Sequence, residues 1–142
     1  MRAIVESPFK TGQIRLADGN VVTVKEEDNL EYARACCRWC VDRGMAPFAS
    51  HLMYPQFMDD GIHYERHRGI MMGFKWGKVA GQRFFFVDRG FSDGMIQGLE
   101  EADRIQQSTK IIKIGGDWDL GWVHGEPTWA DVNERIQNPS PR

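Results

Sequence analysis

The residues best suited to chemistry in this 142-residue chain lie in Asp88-Arg89-Gly90-Phe91-Ser92-Asp93-Gly94-Met95. They follow Phe84-Phe85-Phe86-Val87, which reads as a buried strand, and open a helix expected from about Asp93 to Gln107. A strand that breaks into a Ser/Gly turn before a helix aims backbone N–H groups, the positive end of the helix dipole and the Ser92 hydroxyl at one point. Such a point holds an anion. Arg89 has the fixed charge and forked donors that suit a phosphate, with Asp88 and Asp93 as competing partners. Ser7 and Lys10, at the end of the first expected strand, complete the cradle with Gly94 and the Met95 amide. Ordinary turn and capping chemistry is the competing use of the same residues.

Other candidates are sparser. Phe9, Tyr54, Phe57 and Phe91 are placed to stack on a base, each good platform being worth ~1–3 kcal/mol, although core packing claims aromatic residues too. His63 and His67 sit four apart near Asp59 and Asp60, yet solvated helix-start residues have the same look, and no metal site is expected. Cys37-Arg38-Trp39-Cys40 has C-x-x-C spacing, but with only Cys36 beside it there is no second pair to close a metal cage. These thiols read as small packing residues in a reducing compartment.

The elements that must position these groups alternate. Ala3-Ile4-Val5 is a short strand ending at the polar loop Ser7 to Gly12. Ile14 to Leu16 and Val21 to Val24 flank Ala17-Asp18-Gly19-Asn20, the signature of a hairpin. Asp28 or Asn29 is expected to cap a helix reaching about Arg43, ended by Gly44. Met45 to Phe48 reads as a strand, Tyr64 to Lys78 as a helix with Ile70, Met71 and Phe74 inward, and Lys110 to Ile114 as a last strand. This order implies a mostly parallel sheet covered on both faces, with ligands at the C-terminal strand ends. Trp118, Trp122 and Trp129 punctuate a tail that packs back over the domain or forms a subunit interface, with a short amphipathic segment from Trp129 to Ile136. A two-stranded ribbon is rarely stable alone, so the hairpin is expected to pack on something, a neighbouring subunit first.

Composition bounds the function. The length and the 42% hydrophobic content suit a single domain, read as residues 1–142 with a hairpin insertion at about 11–27 and an extension from about 115. A formal charge of −2 gives no footprint for duplex nucleic acid, and no apolar run approaches membrane-spanning length. The start of the chain has no leader pattern, so a cytoplasmic location is expected.

Ser7-Pro8-Phe9-Lys10, Asn29 to Arg34, the stretch Gly44 to Asp60, Glu65-Arg66 and Ser92-x-Gly94-Met95 together resemble the nucleoside 2-deoxyribosyltransferase-like proteins common in phage and prophage genomes. The likeness covers about Ala3 to Ile114. It implies a Rossmann-like three-layer α/β sandwich, usually a homodimer or larger, that binds nucleosides or nucleoside monophosphates without a further cofactor. It also implies that His51 lines the pocket or its floor. Members that do chemistry break the N-glycosidic bond with a glutamate six residues after the Ser or Asp of the turn, through a glycosyl-enzyme intermediate. The same count from Ser92 lands on Gly98. Glu100 is the fallback, but at about 100° per residue it points away from position 98. The helix Ile70 to Trp76 has no carboxylate where related enzymes place a base-handling aspartate.

The resulting expectation is a nucleotide-binding protein without turnover, for instance a phage anti-defence protein in the host cytoplasm that sequesters a nucleotide-derived immune signal. Two alternatives stay open: an N-glycosidase or deoxyribosyltransferase with relocated acids, and a structural protein with a vestigial pocket.

Overall fold

Residues Gln82–Phe86 bury side chains on both sides of one strand, which obliges the chain to build a layer on each side of it. The computed structural model describes residues 1–141. In chain order its elements are β1 (Arg2–Glu6), the hairpin β2 (Gly12–Arg15) and β3 (Val21–Val24), α1 (Glu26–Asp42), β4 (Ala46–Phe48), α2 (His63–Gly77), β5 (Gln82–Phe86), α3 (Asp93–Arg104), β6 (Ser108–Ile112) and α4 (Trp129–Gln137). Short 3-10 turns at Ser50–Leu52 and Tyr54–Gln56 bridge β4 to α2, and a third spans Gly116–Trp118.

Strands β4, β1, β5 and β6 form a parallel sheet in that order, and β2 and β3 form a separate antiparallel pair. The α/β class with a mostly parallel sheet is therefore as the alternation of elements predicts. Phe84 and Phe86 join Ala3, Val5, Tyr32, Cys36 and Cys40 in a core under α1. Phe85 points the other way and joins Val87, Phe91, Met95, Trp122 and Val132 under α3 and α4. Cys36, Cys37 and Cys40 are all free thiols, and burial pushes Cys37 and Cys40 up to about 11. The edge strand β4 is three residues long and carries Pro47, which has no N–H to offer a further strand. Among the described residues no helix is long and apolar enough to cross a membrane.

Several boundaries differ from the sequence expectations, each for a local reason. Helix α1 starts at Glu26, with no side-chain cap, and Asn29 is fully buried inside it. The Asn29 amide instead donates to the carbonyls of Phe9 and Lys10, at 3.2 and 3.3 Å, and so ties down the loop after β1. Strand β6 ends at Ile112 rather than Ile114, because the N–H groups of Ile114 and Gly115 turn to the Asp88 carboxylate. Helix α3 ends at Arg104, and Gln106 takes a left-handed φ of 54° soon after.

The hairpin is seated on its own chain. Ile14 packs so closely on Gly90 that a Cβ there would lie 2.9 Å from its Cγ2, and Gly90 has a left-handed φ of 90°. Ala17 N–H donates to the Gly121 carbonyl at 2.8 Å, and Arg15 N–H donates to the Ser140 hydroxyl at 3.1 Å. The tryptophan-rich tail likewise folds back: Trp122 stacks on Phe91, and Trp129 meets the edge of Phe85.

Of the residues of α2 expected to face inward, Ile70 and Phe74 are half-buried and Met71 is exposed, while the fully buried positions are Gly69 and Gly77. Close approach is the cause. A Cβ at Gly77 would lie 2.4 Å from Arg83 Nη2, whereas one at Gly69 would make an ordinary contact at 3.5 Å with Tyr54. Arg83 is buried and pinned by Glu6 and Gln107, so it has little room to yield. Gly77→Ala should therefore destabilise by about 1–3 kcal/mol. Gly69→Ala on the same helix should gain up to about 1 kcal/mol from helix propensity. Urea denaturation of the two variants checks the opposite signs.

Candidate functional site

A cleft of about 930 Å³ opens over the C-terminal ends of β1 and β5, between α2 and the start of α3. The sheet contributes Ile4, Glu6, Phe48 and Arg83, α2 contributes Arg66 and its glycine face, and α3 contributes Asp93, Gly94 and Gln97. The hairpin (Gln13, Ile14, Thr23, Val24) and the tail (Arg135 and Pro139 to Pro141) line it as well. Among the expected site residues, Phe9, Lys10, His51, Tyr54, Arg89, Ser92 and Gly94 all reach this one cleft.

Three others do not line it. Asp88 is fully buried and spends its carboxylate on the Tyr32 hydroxyl at 2.6 Å and on the N–H groups of Ile114 and Gly115. It fixes the strand ends rather than meeting a ligand. Met95 is buried, and its amide gives its proton to the Ser92 Oγ that caps α3. Ser7 is buried, and its hydroxyl has no hydrogen-bond partner among the described residues. Glu100, the fallback acid, is exposed and lines a separate cavity of about 480 Å³ between α2 and α3 with His63, His67 and Arg104. Among the described residues no three His, Cys, Asp or Glu side chains converge as metal ligands.

Arg89, Arg135 and Lys10 all line the cleft. Arg89 is only 8% exposed; its Nε donates weakly to Asn29 Oδ1 at 3.4 Å, and its guanidinium lies 6.0 Å from the Trp118 ring centre. Arg135, from α4, donates to Asp93 Oδ1 at 2.9 Å, and Lys10 pairs with Asp60 at 3.3 Å. An aromatic group completes the cleft: His51 stacks on Phe9 with ring centres 4.7 Å apart, and Tyr54 meets Phe48 edge to face. Burial pushes the His51 imidazole down to about 4, so it is neutral at pH 7.

The residue that sequence reasoning missed is Glu6. Its side chain is 16% exposed and accepts a hydrogen bond from Arg83 Nη1 at 2.8 Å. The carboxyl fills the space beside Gly98 so completely that a Cβ there would lie 2.7 to 2.8 Å from its Cδ and both oxygens. Position 98 is glycine, in this fold, because a carboxylate from β1 already stands there. Burial raises the Glu6 carboxyl from 4.5 to about 7, against the pull of Arg83. The signal in the sequence was two opposite charges, Glu6 directly after the apolar run Ala3 to Val5 and Arg83 directly before the run that starts at Phe84.

The fold and cleft thus define a parallel α/β domain with a polar and aromatic cleft at its strand ends. The chain belongs to the family described as Domain of unknown function (DUF7768), whose model matches residues 2–112. No curated protein and no solved structure matches the chain. The tail that carries Arg135 into the cleft lies beyond the matched residues.

Glu6 and His51 pull acid stability in opposite directions. Between pH 4.5 and 7 the folded chain keeps a proton on Glu6 that the unfolded chain has released, so stability falls as pH rises. Between pH 6.5 and 4 the unfolded chain takes up a proton that buried His51 refuses, so stability is lost as pH falls. Each spans about 3 kcal/mol, and the two nearly cancel from pH 4.5 to 6.5. Glu6→Gln should leave the His51 slope exposed, with stability dropping steeply below pH 6.5, as measured by denaturation at a series of pH values.

Proposed function

We propose that the protein binds a nucleoside or nucleoside monophosphate in this cleft and cleaves its N-glycosidic bond, with Glu6 as the acting carboxylate. The observation that carries this reading is the Glu6 carboxyl in the space beside Gly98. The expectation of binding without turnover rested on the lack of an acid at position 98 and of a carboxylate in Ile70 to Trp76; a carboxylate supplied from β1 answers the first. A Rossmann-like three-layer arrangement accords with a strand order that reverses at β1, where the crevice outside the strand ends is the usual ligand site. The basic side chains of the lining suit a phosphate, and the Phe9, His51 and Tyr54 side chains suit a base.

The chemistry balances without a cofactor. Ionised Glu6 attacks the anomeric carbon as the C1′–N bond breaks, and the base leaves with the bonding electrons and takes up a proton. Water then hydrolyses the glycosyl ester, giving a hydroxyl at C1′ and returning the proton to solvent. A carboxyl near 7 is populated in its ionised form at neutral pH, so kcat/KM should rise with pH through about 7. Binding without turnover is the second reading, favoured by the Arg83 contact that already occupies one Glu6 oxygen.

Chromatographic detection of free base from a panel of nucleosides and nucleoside 5′-monophosphates separates the two. The wild type should release base at catalytic protein concentration, and Glu6→Gln should be slower by at least about 100-fold. The variant should still bind, gaining about 2.7 kcal/mol of stability at ligand a hundredfold above Kd. Gly98→Glu alone should fail to restore activity because it collides with Glu6, whereas Glu6→Ala with Gly98→Glu should recover part of it. Ligand binding with no base release by the wild type would establish the second reading.

A further inference from the structure

Gln107 lies between α3 and β6 and does not line the cleft, yet only the Arg83 side chain separates it from the Glu6 carboxyl. Its Nε2 donates to the carbonyls of Gly77 and Ala80, at 2.8 and 3.1 Å, where α2 ends. Its backbone N–H donates to the Ala102 carbonyl at 2.8 Å, so the main chain is fixed as well. With the Nε2 end committed to two acceptors, the Oε1 end has one direction left, and it accepts from Arg83 Nε at 2.9 Å. Turning the amide over would set its oxygen against two carbonyls. An arginine fork beside a carboxylate ordinarily pairs through two nitrogens and takes both oxygens. Here only Nη1 reaches Glu6, at 2.8 Å to Oε1, and no hydrogen bond reaches Oε2 among the described residues.

The other two nitrogens account for this. Gln107 holds Nε and so blocks the side-on pairing, and Nη2 is turned to the place where a Gly77 Cβ would lie, 2.4 Å away. Nη2 is buried there without a hydrogen-bond partner among the described residues, so the single-bonded arrangement is held against the preference of the group itself. We propose that Gln107 is a positioning residue for base release, acting through Arg83: it restricts the guanidinium to one hydrogen bond with Glu6 and so keeps the second carboxyl oxygen free for the anomeric carbon. This rests on the reading of Glu6 as the attacking carboxylate. A fork closed on both oxygens would engage the lone pairs that must attack and hold the carboxyl more firmly in its ionised form. Arg83 of β5 is the charge that acts on Glu6, and α3 presents Gly98 to it. Glu101 of α3, held by Arg104, feels the same guanidinium and Lys78 at the end of α2, while Arg66 of α2 lines the cleft. A change at position 107 leaves all of these groups in place.

The pH dependence of base release by the full chain tests it, with the common nucleosides and nucleoside 5′-monophosphates as probes. Gln107→Met removes the acceptor at nearly constant size, so the guanidinium closes on both oxygens. Its kcat should fall by about tenfold or more at unchanged KM. The rising limb of kcat/KM should move from about 7 down to about pH 6. Gln107→Glu keeps an acceptor for Nε but adds a charge that shares the guanidinium, so its kcat at high pH should stay near wild type while the limb moves upward. Carbon NMR of the Glu6 carboxyl, which needs no turnover, should show the same two displacements in opposite directions. A tether that merely fastens α2 predicts lower resistance to urea in both variants with the Glu6 titration and kcat unmoved. That result, in a wild type that releases base, would overturn the role of Gln107 alone. If the wild type releases no base from any of these compounds, the reading of Glu6 as nucleophile falls and this role with it.

Discussion

The ion pair between Glu6 and Arg83 is the constraint around which the site is arranged. Two charges beneath a cleft lose hydration, and only close contact with each other and with further donors or acceptors offsets that loss. Arg83 meets the requirement in part, with Glu6 on one side and Gln107 on another, while its Nη2 is buried without a hydrogen-bond partner among the described residues. Gln107 in turn donates to the carbonyls of Gly77 and Ala80, so the end of α2 is fastened to the same group. The pair also dictates glycine on both flanking helices, at Gly77 beside the guanidinium and at Gly98 beside the carboxyl. A charge pair in the floor thus sets how near α2 and α3 stand to the sheet.

The rest of the cleft is assembled from segments far apart in sequence but held by local rules. Asp88 gathers Tyr32 of α1 and the start of the tail onto the end of β5, which stabilises the turn that leads to Ser92. Asn29 reaches from α1 to the loop that presents Phe9 and Lys10. The hairpin and the tail then meet through Arg15 and Ser140. Each of these contacts satisfies buried or strand-end polar groups first, and the concave site is the space they leave.

Features with local causes were legible in the sequence. Asp18-Gly19 marked the hairpin, and Gly19 has the left-handed φ of 89° that such a turn needs. Ser92 marked the start of α3 and does cap it, and the segment from Trp129 is a helix almost to the expected residue. Features that depend on register were not. Glu6 and Arg83 are 77 residues apart and meet only because Ile4 and Arg83 are partners across β1 and β5. On α2 apolar spacing found the half-buried Ile70 and Phe74 but also pointed to the exposed Met71, and it missed the close approach along glycines, which carry no hydrophobic signal. Asn29 resembled a cap because its side chain is built for one, and tertiary contacts claimed it instead.

Strand β4, brief and interrupted by a proline, has a consequence for how copies of the chain can associate. Sheets commonly extend from one molecule to the next by adding strands at an open border, and such growth needs a row of free amide protons. At Pro47 that row is broken on the border β4 provides. Any symmetric assembly on that flank must therefore be made by side-chain surfaces meeting face to face, not by a sheet running continuously through both partners.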